Sequence, residues 1–352
     1  MLMLHFTNCS NMMKSNKLIV FDMDGVLIDV SGSYREAVRK TARLFLTGTV
    51  NFDKLPDPLF SLEALGRLKQ TGGLNNDWEL TARTIALLFT LLEPPAENPP
   101  ALESPPGSAA PADGVSYKNA IRTRDAQKLA DFLNKSTSPL TELAALQKGG
   151  KSPFVERCFR GDVQTGNIIK RMFQEIYLGP ALFRSAYNLE PEFSRDEGLI
   201  NNETLLCDEA ILHDLARRHT LAVATGRPKM EAEHPLTRFG IGKYFRDVVT
   251  HDDCLREEGR LYREKKIRVS LEKPNPFMLD LLSDRLGSPF DQRFYVGDMP
   301  DDMQAAKGSK NGYRAIGALF LPSASQNSRD ILSQAGADHV IDSPAALTAI
   351  IG

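Results

Sequence analysis

Three short runs of apolar residues end at polar ones, and this pattern predicts the strands of a parallel sheet. The runs are 18–21 before Asp22, 221–224 before Thr225, and 294–296 before Gly297. Residues 247–250 and 314–320 predict two more strands, and segments with helical spacing separate the strands. Strands that alternate with helices favour an α/β fold with a doubly wound parallel sheet.

Apolar side chains also recur at the spacing of helices. Asn275 and Pro276 suit the N-cap and first residue of a helix that continues to Leu286, and residues 205–218 predict another. Between the first and second strands, the helical faces are Tyr34, Ala37, Val38, Ala42 and Phe45; Trp78, Ala82, Ile85, Leu88, Phe89 and Leu92; and Ile168, Met172, Phe173, Ile176 and Tyr177. A predicted capping box, Asn76 with Glu79, precedes the second of these faces.

The first and second strands are about two hundred residues apart, far more than one crossover needs. We therefore predict that a separate helical domain, residues 31–202, is inserted into a core. The core is formed by residues 17–30 and 203–352, and residues 1–16 are predicted to be a flexible tail.

A proline-rich stretch lies inside the predicted insertion. Residues 94–114 contain seven prolines, which suit neither a helix nor a strand ladder. We predict that residues 94–150 form a disordered insertion within the helical domain, and that after the prolines either disorder or loose helix continues to Ser152. The alternative is a polyproline ligand for a protein partner, although no basic residue flanks the prolines.

Composition narrows the class of protein. The chain of 352 residues is 42% hydrophobic and 25% charged, which suits about two globular domains. Its formal net charge of -2 argues against a nucleic-acid partner. No stretch reaches the ~18–20 apolar residues of a membrane span, and no secretory signal is recognisable. The four cysteines (Cys9, Cys158, Cys207 and Cys254) form no C-x-x-C pair, so we expect reduced thiols in a cytoplasmic protein.

Two carboxylates follow the first predicted strand. Asp22 and Asp24 are two residues apart, with Gly25 next. Acids at the end of a buried strand are costly to desolvate unless their charge is used. Ligands of open α/β sheets bind at the carboxyl ends of the strands. This turn therefore predicts a nucleophile, a proton donor and a Mg²⁺ site.

The segment LIVFDMDGVLID around these acids resembles the first motif, D-x-D-G-[VT], of the haloacid dehalogenase-like hydrolase superfamily. The resemblance continues in order along the chain with VATGR, EKPNP and VGDMPDD. The insertion after the first motif is similar to the helical-cap branch of phosphoglycolate phosphatase-like and β-phosphoglucomutase-like enzymes. The resemblance implies a three-layer, Rossmann-like parallel sheet core with an inserted helical cap.

The resemblance also implies roles for the motif residues in phosphoryl transfer. Asp22 attacks phosphorus and forms an aspartyl-phosphate, and Asp24 protonates the leaving oxygen and then activates water. Thr225 and the amide of Gly226 hold phosphoryl oxygens, while Lys273 neutralises their charge.

The resemblance further assigns the ligands of Mg²⁺. They are the side chains of Asp22 and Asp298 and the backbone carbonyl of Asp24, since Mg²⁺ prefers oxygen ligands. Asp302 is expected to hold a metal-bound water or to orient Lys273.

Several other polar residues have two open interpretations. Arg227 either binds a carboxylate or phosphate of the substrate or pairs with an acid. Arg35 and residues 72–78 are further candidates for substrate selection, although Trp78 is better explained as a core anchor. Asp29 matches the acid at the end of the family's first motif and is either structural or catalytic. His251 follows a predicted strand and either approaches the site or is a surface or core histidine. Asp301 suits the first turn of a helix, and we leave it out of the site.

The expected function is that of a Mg²⁺-dependent phosphatase acting on a small phosphorylated metabolite. A true dehalogenase is disfavoured because that branch lacks the acids at Asp24 and Asp298. A phosphosugar mutase of the same branch is the first alternative. A regulatory or interaction protein that uses the proline-rich loop is the second.

Overall fold

The structure, a computed structural model, describes residues 16–69, 76–92, 114–146, 152–287, 289–321, 324 and 326–352. The predicted tail, except for residue 16, and the prolines of residues 94–111 lie outside the described residues. The chain divides into two compact units. The first contains the described residues up to Leu27, those from Leu206 to Phe320 and those from Ala324 onwards. The second contains Ile28–Leu205 and Leu321.

Six parallel strands form the sheet of the first unit, and two short antiparallel strands pair in the second. The strands are β1 (Leu18–Phe21), β2 (Ile28–Asp29), β3 (Thr204–Leu205), β4 (Thr220–Ala224), β5 (Phe245–Val249), β6 (Arg293–Gly297), β7 (Tyr313–Ala318) and β8 (His339–Ile341). The order in the large sheet is β5-β4-β1-β6-β7-β8. The strand order reverses beside β1, and in open α/β sheets the crevice at such a point is where ligands bind. This sheet, with helices packed against it, confirms the predicted Rossmann-like α/β fold.

Strand β1 lies at the centre of the sheet, between β4 and β6. Its four residues are fully buried, as expected for an apolar strand covered on both faces. The ladder continues past the strand ends, since the N–H of Asp22 donates to the carbonyl of Val296 at 2.8 Å and the N–H of Thr225 to that of Val249 at 3.0 Å. The register therefore fixes Asp22 and Thr225 at the same edge of the sheet.

The helices of the first unit cover this sheet. They are α9 (Glu209–Ala216), α10 (Lys229–Arg238), α11 (His251–Lys265), α12 (Phe277–Leu286), α13 (Pro300–Gly308), α14 (Gln326–Gln334) and α15 (Ala346–Ile351). Helix α12 begins one residue later than predicted, and Asn275 Oδ1 accepts the N–H of Phe277 at 3.1 Å. The helix predicted from residue 205 begins instead at Glu209, because Leu205 pairs with Ile28 in the β2–β3 ribbon.

The second unit is helical. Its helices are α1 (Tyr34–Phe45), α2 (Leu62–Lys69), α3 (Asp77–Phe89), α4 (Gly114–Arg122), α5 (Gln127–Leu133), α6 (Pro139–Leu146), α7 (Pro153–Cys158) and α8 (Ile168–Tyr187). The predicted faces of α1, α3 and α8 point into its core, and Asn76 caps α3 by accepting the N–H groups of Trp78 and Glu79. Helix α8 breaks at Gly179, whose φ of 71° ends the first half before Pro180. Among the described residues, no helix is long and apolar enough to cross a membrane.

The prediction of disorder over residues 94–150 was wrong for residues 114–146, where the alternative of helix holds. These residues form α4, α5 and α6, which bury apolar side chains such as Ile121, Leu129 and Leu140 in the second unit. The hydroxyl of Tyr117 donates to the carbonyl of Phe45 at 2.6 Å, and the two rings pack with centroids 5.0 Å apart. The prolines that suggested disorder end at residue 111, whereas the residues after them have enough apolar side chains to fold.

Candidate active site

Three carboxylates converge at the carboxyl edge of the sheet. Asp22, Asp298 and Asp302 each place an oxygen within 4.8 Å of the others. Gly25 makes this approach possible, because a Cβ at this residue would lie 2.1 Å from Asp298 Oδ2. Its φ of 74° is also in the region that favours glycine. The glycine of the D-x-D-G motif thus lets the turn after β1 lie against the acid after β6.

Lys273 lies between two of these acids. Its Nζ is 2.9 Å from Asp22 Oδ1 and 2.7 Å from Asp302 Oδ1, and all three side chains are largely buried. The other oxygen of Asp302 accepts the N–H of Met299 at 3.0 Å, at the start of α13. A Cβ on Gly297 would lie 2.3 Å from the Cβ of Asp302, so Gly297 lets Asp302 reach Lys273.

The sequence predictions missed Tyr295, which completes this cluster. Its hydroxyl accepts a hydrogen bond from Lys273 Nζ at 3.1 Å and lies 3.0 Å from Asp302 Oδ1. Ala224, at the end of β4, has its carbonyl oxygen 3.3 Å from the same hydroxyl. A buried phenol within an apolar strand needs a hydrogen-bond partner, and this requirement is the sequence signal that marks Tyr295.

Thr225 and Gly226 follow β4 at the same edge. Thr225 is buried, and its Oγ1 accepts the N–H of Arg227 at 3.2 Å. The O–H of the threonine can still donate to an oxygen. A Cβ on Gly226 would meet no atom within 4 Å, so the space beside it is open.

Asp24 is paired with Arg227. The Nε and Nη2 atoms of Arg227 are each 2.7 Å from Asp24 Oδ1. Nη1 donates to the carbonyl of Glu231 at 3.1 Å. Of the two interpretations left open for Arg227, the structure shows the ion pair with an acid.

Comparison with known proteins identifies the family. A family model described as haloacid dehalogenase-like hydrolase matches residues 16–310. The chain belongs to the haloacid dehalogenase-like hydrolases. This membership confirms the resemblance predicted from the four motifs.

Individual relatives of this hydrolase are distant. An imidazoleglycerol-phosphate dehydratase of Phytophthora nicotianae is 25% identical over 303 residues, which cover 86% of this chain and 43% of that protein. A phosphoglycolate phosphatase of Salmonella choleraesuis (strain SC-B67) is 24% identical over 228 residues, which cover 62% of this chain and 77% of that protein. The chain thus spans less than half the length of the Phytophthora relative.

A solved structure shares the fold of this hydrolase. An X-ray structure of a Northeast Structural Genomics Consortium target has a TM-score of 0.58 at 21% identity and covers 96% of this chain and 98% of that one.

Burial and charge shift the proton affinities of the cluster in this hydrolase. Burial raises the pKa of Asp22 to about 8; Lys273 opposes this shift, and the neighbouring carboxylates add to it. Burial by itself would lower the pKa of Lys273, but the charges of Asp22 and Asp302 raise it well above its usual value. Lys273 therefore stays charged, and a further cation beside Asp22 would favour its ionised form against the burial that raises its pKa.

The donor set fits a hard divalent cation. Three carboxylates with oxygens in one small region are the ligand type that Mg²⁺ prefers. The Asp302 oxygens already accept hydrogen bonds from Tyr295 and Met299 and contact Lys273. Asp22 and Asp298 are therefore the better candidates for direct contact with a metal.

The remaining predicted residues lie outside this cluster. His251 is buried, with Nδ1 2.8 Å from Glu272 Oε1, and Asp301 lies in the first turn of α13. Asp29 Oδ1 accepts the N–H of Ser31 at 2.8 Å.

Two candidates for substrate selection lie in the second unit. Arg35 lies in α1. Trp78 is buried, with Lys170 Nζ 3.8 Å from the centre of its ring, which supports the interpretation as a core anchor. The rest of the 72–78 candidate, up to residue 75, lies outside the described residues.

Proposed function

We propose that this hydrolase is a Mg²⁺-dependent phosphatase that acts on a small phosphorylated metabolite through an aspartyl-phosphate on Asp22. One observation carries the proposal. A buried lysine touches both Asp22 and Asp302, at 2.9 and 2.7 Å, beside a third carboxylate at the carboxyl edge of the sheet. Few structural roles explain so much buried charge in one place.

Asp22 is proposed to be the nucleophile. Its carboxylate attacks phosphorus in line, and the ester oxygen leaves as the aspartyl-phosphate forms. Lys273 holds the attacking carboxylate and places positive charge where the transferring phosphoryl group is most negative. The Thr225 hydroxyl and the Gly226 amide donate hydrogen bonds to phosphoryl oxygens.

Asp24 is proposed to move the protons. It gives a proton to the leaving oxygen and later takes one from the water that hydrolyses the aspartyl-phosphate. The carboxylate is 29% exposed while its partner Arg227 is 1% exposed. A buried partner thus holds the Asp24 carboxylate, which still reaches solvent.

Mg²⁺ is proposed to bind the side chains of Asp22 and Asp298 and the backbone carbonyl of Asp24. When bound, the ion supplies charge neutralisation between carboxylate and phosphate. Asp302 acts indirectly, through Lys273.

The substrate class is proposed from chemistry and from relatives. The Salmonella relative is named for phosphoglycolate and the Phytophthora relative for imidazoleglycerol phosphate, so both compounds belong in the first substrate panel. We also propose that residues 31–202 form the cap that selects the substrate. A cytoplasmic location is proposed because Cys158, Cys207 and Cys254 are free, buried thiols.

The test is phosphate release from a panel of phosphorylated metabolites, with Mg²⁺ and with a chelator in its place. We expect release that needs Mg²⁺. In the Asp22→Asn variant, kcat should fall by roughly 10⁴-fold or more, as for loss of a nucleophile, with cooperative thermal unfolding retained. Full activity of this variant would refute the nucleophile. Isomerised sugar phosphate with negligible phosphate release would favour a mutase, and inactivity on every substrate would favour an interaction protein.

A further inference from the structure

Arg227 is a charged side chain in the interior of the first unit. Its side chain is 1% exposed, and it ranks among the largest fully buried side chains of the described residues. A buried guanidinium is costly unless its charge and its N–H groups are satisfied. The groups that satisfy it therefore indicate what it does.

Both ends of the residue are fixed. In the side chain, Nε and Nη2 converge on Asp24 Oδ1 at 2.7 Å, and Nη1 donates to the Glu231 carbonyl at 3.1 Å. In the backbone, the N–H donates to Thr225 Oγ1 at 3.2 Å and the carbonyl accepts the N–H of His251 at 3.0 Å. The guanidinium is thus anchored in the protein and turned toward one oxygen of Asp24.

We propose that Arg227 is a positioning residue that holds Asp24 for proton transfer and does not contact the substrate. This inference rests on the proposed function, because it takes Asp24 as the proton-transfer group. The two N–H groups occupy Oδ1, and a carboxylate held by one oxygen keeps Oδ2 in a fixed place for the leaving oxygen and the attacking water. Because the motif Thr-Gly-Arg ties Arg227 to Thr225, one loop fixes both the phosphate donor and the proton-transfer acid.

A leaving-group comparison separates this role from substrate binding. Nitrophenolate leaves without needing a proton, whereas the alkoxide of an alkyl phosphate needs one. The comparison uses kcat/KM, which reports the steps up to departure of the leaving group and not the later hydrolysis that both substrates share. The variant Arg227→Met should therefore lower kcat/KM on the best alkyl phosphate of the panel by about 10²-fold, within the range for general acid catalysis. The loss on p-nitrophenyl phosphate should be much smaller, and inhibition by inorganic phosphate should be unchanged.

A double-mutant cycle tests whether Arg227 acts through Asp24. Asp24→Asn removes the proton donor. In that background, Arg227→Met should lower kcat/KM on the alkyl phosphate little further, so the fold-losses of the two single variants should not multiply. Arg227→Lys keeps the buried charge but replaces the three donor nitrogens of the guanidinium with one, so it should retain intermediate activity on the alkyl phosphate. It also replaces Arg227→Met in the cycle if the methionine variant does not fold.

Three results would overturn the inference. The first is losses that multiply in the cycle, and the second is equal losses of kcat/KM on the two substrates. The third is weaker inhibition by phosphate, which a direct contact between Arg227 and phosphate predicts. If phosphate release depends on Asp22 while Arg227 and Asp24 behave independently, this inference alone fails. A wild-type chain with no phosphatase activity overturns both the inference and the proposed function.

Discussion

A single phenol oxygen connects two strands of the sheet to the charged cluster. The hydroxyl of Tyr295, on β6, contacts Lys273 and Asp302 and lies 3.3 Å from the carbonyl of Ala224, at the end of β4. Burial raises the pKa of Tyr295 well above its usual value, so the hydroxyl keeps its proton. It can therefore accept from the lysine and donate to an oxygen at the same time, which restrains the lysine that is proposed to face the phosphoryl group.

The variant Tyr295→Phe removes this oxygen and keeps the ring. We expect kcat to fall about tenfold with KM little changed, because Lys273 loses one of the groups that hold it. The free energy of unfolding should fall by about 1 kcal/mol. Steady-state kinetics and denaturant unfolding measure both effects.

Tyr313→Phe is the matched control. Its hydroxyl is also buried in the first unit, 2.9 Å from Ser283 Oγ and 3.1 Å from the Leu279 carbonyl. This variant should lose similar stability and keep its kcat. Equal loss of kcat in the two variants would show that Tyr295 acts through stability alone.

Single residues differ in how far the sequence predicts them. Asp22, Lys273, Asp298 and Asp302 were predicted from ordered motifs, and the structure brings them together. The link from Tyr295 to Lys273 depends on how the segment before α12 lies against β6, which motif spacing does not contain. The interpretation of Arg227 stayed open for the same reason, since its partner Asp24 follows another strand.

At the scale of elements, helix α11 starts in a dense set of polar contacts. Thr250 and Asp253 form a capping box, in which the Thr250 N–H donates to Asp253 Oδ2 at 3.0 Å. Asp253 Oδ1 also accepts from Arg285 at 2.6 Å and from Arg256 at 2.8 Å. These contacts join the start of α11 to the end of α12.

This acid makes the stability of the helix depend on pH. Burial by itself would raise the pKa of Asp253, but the Thr250 N–H and Arg285 hold it below its usual value. A lowered pKa in the folded state gives stability that is complete above the unfolded pKa and is lost as pH falls through the folded one. The variant Asp253→Asn should therefore cost about 1–2 kcal/mol at neutral pH. The difference from wild type should shrink below about pH 4.

Denaturant unfolding between pH 3 and 8 checks the prediction. Glu264→Gln is the control, because it removes the same charge from an exposed pair at the other end of α11 and should change stability by less than about 0.5 kcal/mol. A difference between Asp253→Asn and wild type that stays constant with pH would contradict the assignment.

Element boundaries were less predictable than element types. The predicted helix over residues 205–218 began too early because Leu205 pairs with Ile28, a partner far away in the sequence. The short strand β8 was not predicted, since three residues contain too little periodicity to identify a strand. Long apolar faces such as that of α1 were predicted well because helical periodicity depends only on residues close together in the sequence.

At the scale of the whole molecule, the helices after the proline-rich stretch belong to the core of the second unit. Residues 114–146 bury Ile121, Leu129 and Leu140. The sequence prediction placed residues 114–146 in one insertion with the prolines, whereas the structure shows that these residues form helices with buried side chains.

Two deletions distinguish these parts. Removing residues 114–146 should expose apolar surface around Phe45 and cause loss of cooperative unfolding or insolubility. Removing residues 94–111 should leave the thermal midpoint nearly unchanged. Calorimetry or circular dichroism of both variants measures the result, and an unchanged midpoint after the first deletion would contradict the packing described here.

The β2–β3 ribbon has a consequence for how this chain tolerates changes in length. Its pairing of Ile28 with Leu205 and of Asp29 with Thr204 brings together the two ends of the second unit. The entropy of closing that loop grows only slowly with its length, by about 0.6 kcal/mol for each doubling. A surface loop between these ends can therefore change in length with little added entropic cost of closing the ribbon, whereas loss of packed residues such as 114–146 still removes contacts from the core.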